Sequence, residues 1–268
     1  MPTSPRPPTS RRGITLTELL VASTVMSLIA GGMGTLALTM QTASDHCRGQ
    51  TLAAQHGRML GARIRNNAEL ATASESFPGC VVFSETVGSH TFPETLVVWR
   101  PTTAAAAPTG LPRVNELLVY CPDPASPNCL LEIRDSTNAN SVPALTSTSA
   151  WRTLLISLKT GNTAQRLVLS DRLHTANASS TATVALRGCV RFSTLLAPTA
   201  SQLSSYRGGS VDWDELHWPL DVYGSRSGMR QVVCQFELQL NPGDTSAASP
   251  PASVPCFGSA AFLYPLAR

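Results

Sequence analysis

An apolar run begins at Ile14 and continues to about Met40, and Glu18 is the only charged residue within it. As an α-helix, a run of this length extends about 40 Å, which exceeds the roughly 30 Å hydrocarbon core of a bilayer. The pattern therefore predicts a transmembrane helix over residues 14–40. A carboxylate in an apolar span is unfavourable, so Glu18 calls for a partner or a function.

Residues 41–76 are rich in Ala, Gln and Arg, and they predict an amphipathic continuation of the helix. The positions that recur at roughly helical spacing are Leu52, Met59, Leu60, Arg63, Ile64 and Leu70. Several glycines interrupt the helical pattern, and they indicate either bends or positions of close helix packing. These glycines are Gly31, Gly32, Gly34, Gly57 and Gly61.

After Pro78 the pattern changes from helical to strand-like. The predicted strands cover residues 80–83, 95–99, 116–120, 130–134, 154–158, 166–169, 185–192 and 231–238. Alternation in the last two is typical of antiparallel strands with one solvated face. Loops rich in Pro, Ser, Thr and Ala separate them at residues 101–112, 136–150 and 241–255. The predicted fold class is α+β, with a long N-terminal helix packed on an antiparallel β-sheet in a globular domain over residues 77–268.

Residues 1–13 are basic, and three interpretations of this N-terminus compete. In the first, it is an ordinary secretory signal that is cut at Leu28-Ile29-Ala30. In the second, Arg11-Arg12 belongs to a twin-arginine export signal. Neither interpretation gives Glu18 a role. In the third, residues 1–13 are a leader that is removed directly before the apolar run, and the run stays with the protein.

The segment Gly13-Ile14-Thr15-Leu16-Thr17-Glu18-Leu19-Leu20-Val21 resembles the prepilin cleavage and methylation motif of type IV pilins and type II secretion pseudopilins. In that family a short basic leader ends in glycine, and a membrane peptidase cuts after it and methylates the new N-terminal amine. A glutamate stands at the fifth mature position, which is Glu18 when counted from Ile14. Phenylalanine is commonest where Ile14 stands, although other apolar residues are accepted there.

The resemblance implies cleavage between Gly13 and Ile14, N-methylation of Ile14, and pairing of Glu18 with the N-terminal amine of a neighbouring subunit. The implied partners are the prepilin peptidase, other pilin or pseudopilin subunits and the inner-membrane assembly platform. The implied location is the inner membrane, with a single span and the globular domain on the periplasmic side. The large, loop-rich domain favours a minor subunit, and its layout resembles the J-type pseudopilin and the W-type minor pilin. The alternative is an exported, membrane-anchored binding protein or enzyme.

The net charge of +3 gives no sign of nucleic-acid binding. Three of the 20 basic residues, Arg6, Arg11 and Arg12, lie in the leader, which contains no acidic residue. The remaining side chains therefore balance at 17 basic and 17 acidic, without a visible basic stripe.

Seven cysteines occur, of which Cys47 lies in the predicted helix. The other six lie in the strand-rich region, and an even number suits disulfides in an oxidising compartment. Cys121 and Cys129 are the best disulfide candidates because two strand-like runs flank a proline-rich loop that would bring them together. Cys234 and Cys256 would close the 241–255 loop. Many other connectivities are possible, and buried free thiols are the alternative. The spacings fit no zinc site.

The sequence contains no G-x-S-x-G, no H-E-x-x-H and no phosphate-cradling glycine loop, so we expect no enzymatic activity and no cofactor. One polar and aromatic cluster covers residues 212–218. Asp212, Asp214 and Glu215 offer the oxygen ligands that calcium prefers, and some pseudopilins bind calcium. Because the EF-hand pattern is absent, a solvated loop with two packed tryptophans is favoured. Contact of Trp213 and Trp218 with a partner subunit is a further interpretation.

Overall fold

The computed structural model describes residues 13–87, 90–107, 109–177, 186–219, 227–243 and 253–268. A long helix precedes antiparallel strands, so the predicted α+β class is confirmed. The helices are α1 (Leu16–Glu69), α2 (Thr148–Thr160) and α3 (Ala200–Arg207). The strands are β1 (Cys80–Val87), β2 (His90–Trp99), β3 (Leu117–Pro122), β4 (Leu130–Arg134), β5 (Gln165–Ser170), β6 (Thr175–Asn177), β7 (Leu186–Gly188), β8 (Val190–Ala197), β9 (Ser227–Leu240) and β10 (Val254–Ala267). The chain divides into two units, residues 1–48 and 49–268, and the boundary lies inside α1.

The part of α1 that belongs to the second unit buries one face. Its buried positions recur every three or four residues, and they are Ala53, Gly57, Leu60, Ile64 and Ala68. This part of the helix is therefore amphipathic, and Leu60 and Ile64 of the predicted positions are buried, but the rest of the buried face differs from the prediction. Leu52, Met59 and Leu70 are exposed, and the helix ends at Glu69 rather than near residue 76. Small residues supply most of the buried face, and sequence reasoning on large apolar residues overlooks them.

Two glycines of α1 are positions of close contact rather than bends. A Cβ atom at Gly57 would lie 2.2 Å from Sγ of Cys256, and one at Gly49 would lie 2.4 Å from the carbonyl oxygen of Pro242. Gly61 is less crowded, since its Cβ would meet the ring of Phe236 at 3.4 Å. Of the two interpretations of the glycines, close packing is confirmed for Gly57.

We expect Gly57→Ala to destabilise the domain, although alanine favours a helix by about 1 kcal/mol over glycine. The added methyl group would overlap Cys256, and overpacking of this kind costs about 1–3 kcal/mol. Gly61→Ala is the matched control, because it has the same gain in helix propensity at a contact of ordinary length. Thermal unfolding of the full chain in detergent should give a lower Tm for Gly57→Ala than for Gly61→Ala. Equal Tm values would contradict the close contact.

The larger sheet has the strand order β1-β2-β3-β4-β5, and both of its faces are covered. On one face, Tyr120 of β3 packs in a cluster that includes Leu60 of α1. On the other face, Val119 of β3 packs in a second cluster, with Trp151 of α2. Strand β3 is therefore buried along its whole length, which explains its uninterrupted apolar sequence.

The second sheet has the strand order β10-β9-β8, and β6 pairs separately with β7. Buried positions alternate with more exposed ones along β9, as the sequence pattern over residues 231–238 predicts. Strand β10 is absent from the sequence prediction, and it contains Pro255 and Pro265. Both prolines are tolerated because β10 is an edge strand, where one side of the backbone carries no ladder hydrogen bonds.

One predicted strand is wrong: residues 154–158 lie in helix α2. The buried residues Trp151, Leu155 and Leu158 recur at helical spacing, and the apolar run at 154–156 is too short to distinguish the two structures. The predicted strand 185–192 is in fact two strands of different sheets, β7 and β8, and its residue 185 lies outside the described residues. The predicted strand 130–134 has the bounds of β4, and the remaining predicted strands are present with shifted ends. The predicted 241–255 loop also lies outside them over residues 244–252.

A polar network joins α1 to the larger sheet at the rim of the buried face. Both donors of the Arg63 fork bind Glu132 of β4, with Nε–Oε2 and Nη2–Oε1 distances of 2.6 and 2.8 Å. The hydroxyl of Tyr120 donates to the same carboxylate at 3.2 Å and accepts from the side chain of Asn67 at 2.7 Å. Bidentate pairing fixes direction as well as distance, so the network orients the helix on the sheet.

Candidate processing and assembly site

The residues at the predicted cleavage point lie in an accessible stretch of backbone. Residues 13–15 precede the first turn of α1, which begins at Leu16. Ile14 is exposed, and a Cβ atom at Gly13 would have no neighbour within 4 Å. A peptide outside regular secondary structure can enter a protease active site without unfolding of the helix that follows it.

Glu18 and Thr15 form a reciprocal capping box at the start of α1. Oε2 of Glu18 accepts hydrogen bonds from the backbone N–H of Thr15 at 2.9 Å and from its hydroxyl at 3.0 Å. The Thr15 hydroxyl in turn accepts from the backbone N–H of Glu18 at 3.3 Å. The sequence signature T-x-x-E before an apolar run is available for this feature, although our sequence reasoning missed it. The Glu18 carboxylate is thus held at the backbone nitrogen of Thr15, the residue that follows Ile14.

The first half of α1 presents apolar side chains to its surroundings. The helix is long and apolar enough to cross a membrane, with a mean hydropathy of 1.7 over an 18-residue window. The serine and threonine hydroxyls bond to carbonyl oxygens of the preceding turn, as in Thr24 to Leu20 at 3.1 Å and Ser27 to Ser23 at 2.8 Å. These internal bonds suit a helix in lipid, where water is not available to satisfy the hydroxyls. The helix is consistent with membrane anchoring.

Comparison with known families gives one finding at this end of the chain. The family model described as the prokaryotic N-terminal methylation motif matches residues 8–34, a range that contains Gly13, Ile14 and Glu18. The match supports a type IV pilin-like or pseudopilin-like export substrate, and it points to a structural subunit rather than an enzyme. The motif implies processing by prepilin peptidase and assembly with other pilins. Neither the comparison with curated proteins nor that with solved structures finds a match.

The acidic and aromatic cluster at residues 212–218 contains a short 3₁₀ turn, Trp213–Glu215. The backbone N–H of Asp212 donates to Oε2 of Glu215 at 3.2 Å, so this carboxylate caps the turn. The Trp213 and Trp218 rings lie 4.7 Å apart, and Trp213 is buried, which confirms the prediction of packed tryptophans. Among the residues with described positions, no group of three or more His, Cys, Asp or Glu side chains is arranged to hold a metal ion.

The strand registers hold the two suggested disulfide pairs, Cys121 with Cys129 and Cys234 with Cys256, apart. Cys121 lies opposite Leu131 in the β3–β4 ladder, which places Cys129 two residues away from direct opposition. A diagonal cross-strand pair has its Cβ atoms about 7 Å apart, whereas a disulfide needs about 3.8 Å. Cys234 and Cys256 are further apart, because Cys234 lies opposite Ala260 in the β9–β10 ladder. The Cys256 thiol instead packs against α1 at Gly57.

The structure contains a partly buried charge cluster that sequence reasoning missed, formed by Glu85, Glu94, Lys159 and Arg187. The Glu94 and Lys159 side chains are buried, whereas the Glu85 side chain is 40% exposed. Lys159 Nζ lies 2.5 Å from Oε1 of Glu85, and Arg187 Nη1 lies 2.6 Å from Oε1 of Glu94. Arg187 also reaches the second oxygen of Glu85 at 3.1 Å. The four side chains come from β1, β2, α2 and β7, and they lie up to 102 residues apart in sequence. No local sequence pattern therefore predicts the cluster.

The pKa values of the two carboxylates in this cluster are shifted in opposite directions. Burial raises the pKa of Glu94 above its ordinary value, although the Arg187 guanidinium opposes the change. Oε2 of Glu94 has no hydrogen-bond partner among the described residues. Burial acts on Glu85 too, but hydrogen bonds and charge from Lys159 and Arg187 outweigh it and lower the pKa of Glu85. The protein therefore holds one carboxylate that resists ionisation beside one that favours it.

Glu94→Gln should change the pH dependence of stability in a definite direction. A raised pKa in the folded state stabilises the wild type below the unfolded-state pKa, and this contribution is lost as pH rises through the folded-state pKa. The stability of Glu94→Gln relative to wild type should therefore increase with pH above the ordinary carboxyl value of 4.5. Urea unfolding from about pH 4 to about pH 7 measures this difference.

Glu85→Gln is the control, and the opposite sign is expected for it. The lowered pKa of Glu85 stabilises the wild type at neutral pH, and this contribution disappears as pH falls through the folded-state pKa. The stability deficit of Glu85→Gln should therefore shrink in acid. If the stability of both variants relative to wild type changed with pH in the same direction, the opposite pKa shifts of Glu85 and Glu94 would be contradicted.

Proposed function

We propose that this chain is a minor subunit of a type IV pilus or a type II secretion pseudopilus. The observation that carries the proposal is the methylation-motif match at residues 8–34, in register with an apolar run whose only charge is Glu18. In this function residues 1–13 are the leader, residues 14–40 anchor the subunit in the inner membrane, and residues 41–76 continue the helix. The domain at residues 77–268 is on the periplasmic side.

Processing requires a peptidase to reach the bond between Gly13 and Ile14. The exposed backbone ahead of α1 supports this step, because the peptidase meets no packed side chain there. The cut creates an amine on Ile14, which the same enzyme methylates. Arg11 and Arg12 remain on the cytoplasmic side, as the charge bias of membrane topology requires.

Assembly then uses the Glu18 carboxylate. In the isolated chain this carboxylate is partnered by its own Thr15, which lowers the cost of storing it in the membrane. In the fibre it pairs with the methylated amine of a neighbouring subunit, and each charge removes the cost of burying the other. The pairing fixes the axial register of one helix against the next.

A minor position suits the size of the domain, which is large beside its anchor. The layout of one long helix followed by antiparallel strands supports a J-type pseudopilin or a W-type minor pilin. Glu18 supports a place beneath another subunit, because a subunit at the very tip has no neighbour above it whose amine needs a carboxylate. The inner-membrane assembly platform and other pilin or pseudopilin subunits are the partners in this proposal.

The mature N-terminus tests the proposed function directly. Intact mass and N-terminal peptide mapping of protein from the native envelope should show a chain that begins with methylated Ile14. A chain cut near Ala30 would refute the proposal and indicate an exported binding protein or enzyme. The fraction that contains the mature protein, sheared surface fibres or periplasmic envelope, then separates a pilus from a pseudopilus.

A further inference from the structure

Two buried cysteines from different sheets meet in the core of the domain. Cys80 begins β1, opposite Val98 of β2, and Cys234 lies in the middle of β9, opposite Ala260. Both thiols are almost completely buried and belong to the same hydrophobic cluster. Interaction with the Cys234 thiol is one of the causes that raise the pKa of Cys80. The fold therefore brings together a cysteine pair separated by most of the domain sequence.

The contact between the sheets near these thiols is close. A Cβ atom at Gly79, the residue before Cys80, would lie 2.7 Å from the ring of Phe262. Phe262 of β10 lies opposite Val232, two residues before Cys234 on β9. Gly79 has a positive φ of 82°, a conformation that side chains rarely adopt, so this close approach requires glycine. The start of β1 is thus held directly against β9 and β10.

We propose that Cys80 and Cys234 form an intramolecular disulfide that joins the two sheets. The inference rests on the proposed function for its compartment, since a disulfide persists where the surroundings are oxidising. Closing the bond joins two thiols that already lie in one hydrophobic cluster, at an S–S distance of about 2.05 Å. Cys121, by contrast, lies in the other hydrophobic cluster, and Cys256 packs against α1.

The oxidant is a protein disulfide of the extracytoplasmic space, and the exchange balances. The thiolate of one cysteine attacks a sulfur of the oxidant disulfide, forms a mixed disulfide and releases one oxidant thiolate. The thiolate of the second cysteine then attacks the first cysteine's sulfur, forms the Cys80–Cys234 bond and releases the second oxidant thiolate. Two electrons pass to the oxidant, and the two protons from the cysteines end on its thiols.

The timing of the bond follows from burial. Interaction with the Cys234 thiol and burial both raise the pKa of Cys80, so the reactive thiolate is scarce once the domain has folded. Oxidation therefore takes place during folding, before the sheets close over the pair. Protein that folds in the reduced state should stay reduced when a small disulfide is added afterwards.

Peptide mapping of the full chain tests the bond. Native envelope protein is alkylated under acid-quenched conditions and digested with trypsin and a protease that cuts after glutamate. This digest separates Cys234, on residues 231–237, from Cys256, and it leaves Cys80 on residues 76–85. The expected result is a joined peptide of 76–85 and 231–237 that separates on reduction. Alkylated Cys80 and Cys234 in protein with a methylated Ile14, or a different partner for either, would overturn the inference.

Refolding separates this inference from the proposed function. Full-length protein, unfolded under reducing conditions and refolded in detergent with oxidised glutathione, should form the same bond. If this refolded protein contains the bond, but cellular protein contains free thiols and an unmethylated N-terminus, the pairing is supported and the proposed location is refuted. Failure to form the bond in refolded protein overturns the pairing itself.

The thermal stability of the same samples gives a second readout. Reduction of a bond that closes a long loop should lower the Tm of the wild type by about 10 °C. Cys80→Ala and Cys234→Ala should each abolish this shift, and the double variant should behave like either one. Cys256→Ala is the matched control, and it should retain both the joined peptide and the shift. The comparison of oxidised and reduced wild type remains decisive even if a variant does not fold.

Discussion

Replacement of Gly13 by valine should abolish maturation and leave a membrane-inserted precursor that keeps residues 1–13. The reason is steric, because the peptidase must bring the backbone on both sides of the Gly13–Ile14 bond close to its reacting groups. A branched side chain at the residue before the cut restricts the backbone and occupies that space. Nothing in the structure opposes the substitution, since a Cβ at Gly13 has no neighbour within 4 Å. The effect should therefore arise in the enzyme and not in folding.

Gly31→Val is the matched control for this experiment. Gly31 lies in the apolar helix that follows Gly13, and its Cβ would also have no neighbour within 4 Å. Intact mass should show normal, methylated mature protein for Gly31→Val and only the precursor for Gly13→Val. Normal mature protein from Gly13→Val would refute the assignment of the cleavage point.

The second large effect is expected for Glu18→Val, which should be inserted and cleaved but not incorporated. Insertion should be unchanged or easier, because the substitution removes a charge from the apolar run. Cleavage should persist, since the substitution leaves the leader and Gly13 intact. Incorporation should fail because the amine of Ile14 on a neighbouring subunit loses its carboxylate. Removing one member of a buried ion pair costs about 3–5 kcal/mol, which corresponds to about a hundredfold or more in an equilibrium.

Thr15→Val separates the contact of Glu18 with Thr15 from its proposed pairing with the amine of a neighbouring subunit. It removes the hydroxyl that bonds Glu18 at 3.0 Å and keeps the carboxylate and the backbone N–H of residue 15. The measurement is co-purification with sheared fibres or with other minor subunits. Thr15→Val should be recovered there, whereas Glu18→Val should be absent. Wild-type recovery of Glu18→Val would show that its carboxylate reaches the membrane interface and has no role in assembly.

The sequence predicts the N-terminal region well because its signals are local. A helix of membrane length, a single charge and a glycine in fixed register lie within about 30 residues, and the helix is present from Leu16 onwards. The capping contact between Thr15 and Glu18 is equally local. Sequence reasoning missed it because it explained Glu18 by a partner on another subunit.

The strand-rich domain is predicted less well where tertiary contacts decide the structure. Residues 154–158 favour a strand by composition, but Trp151 and Leu158 extend the pattern to helical spacing, and the larger sheet buries that face. Strand β10 has two prolines, which argue against a strand unless its position at the sheet edge is known. The proposed pairing of Cys80 with Cys234 also depends on tertiary contacts, since the packing of two sheets brings these residues into one cluster.

The contacts of α1 with the rest of its unit also determine how that unit withstands force. From Gly49 against Pro242, through Gly57 against Cys256, to Arg63 against Glu132 and Asn67 against Tyr120, they extend over about five helical turns. A pull along the helix axis loads all of these contacts at once, in shear. A pull across the axis would break them one after another, as in peeling. The unit should therefore resist tension along the helix axis better than a pull across it.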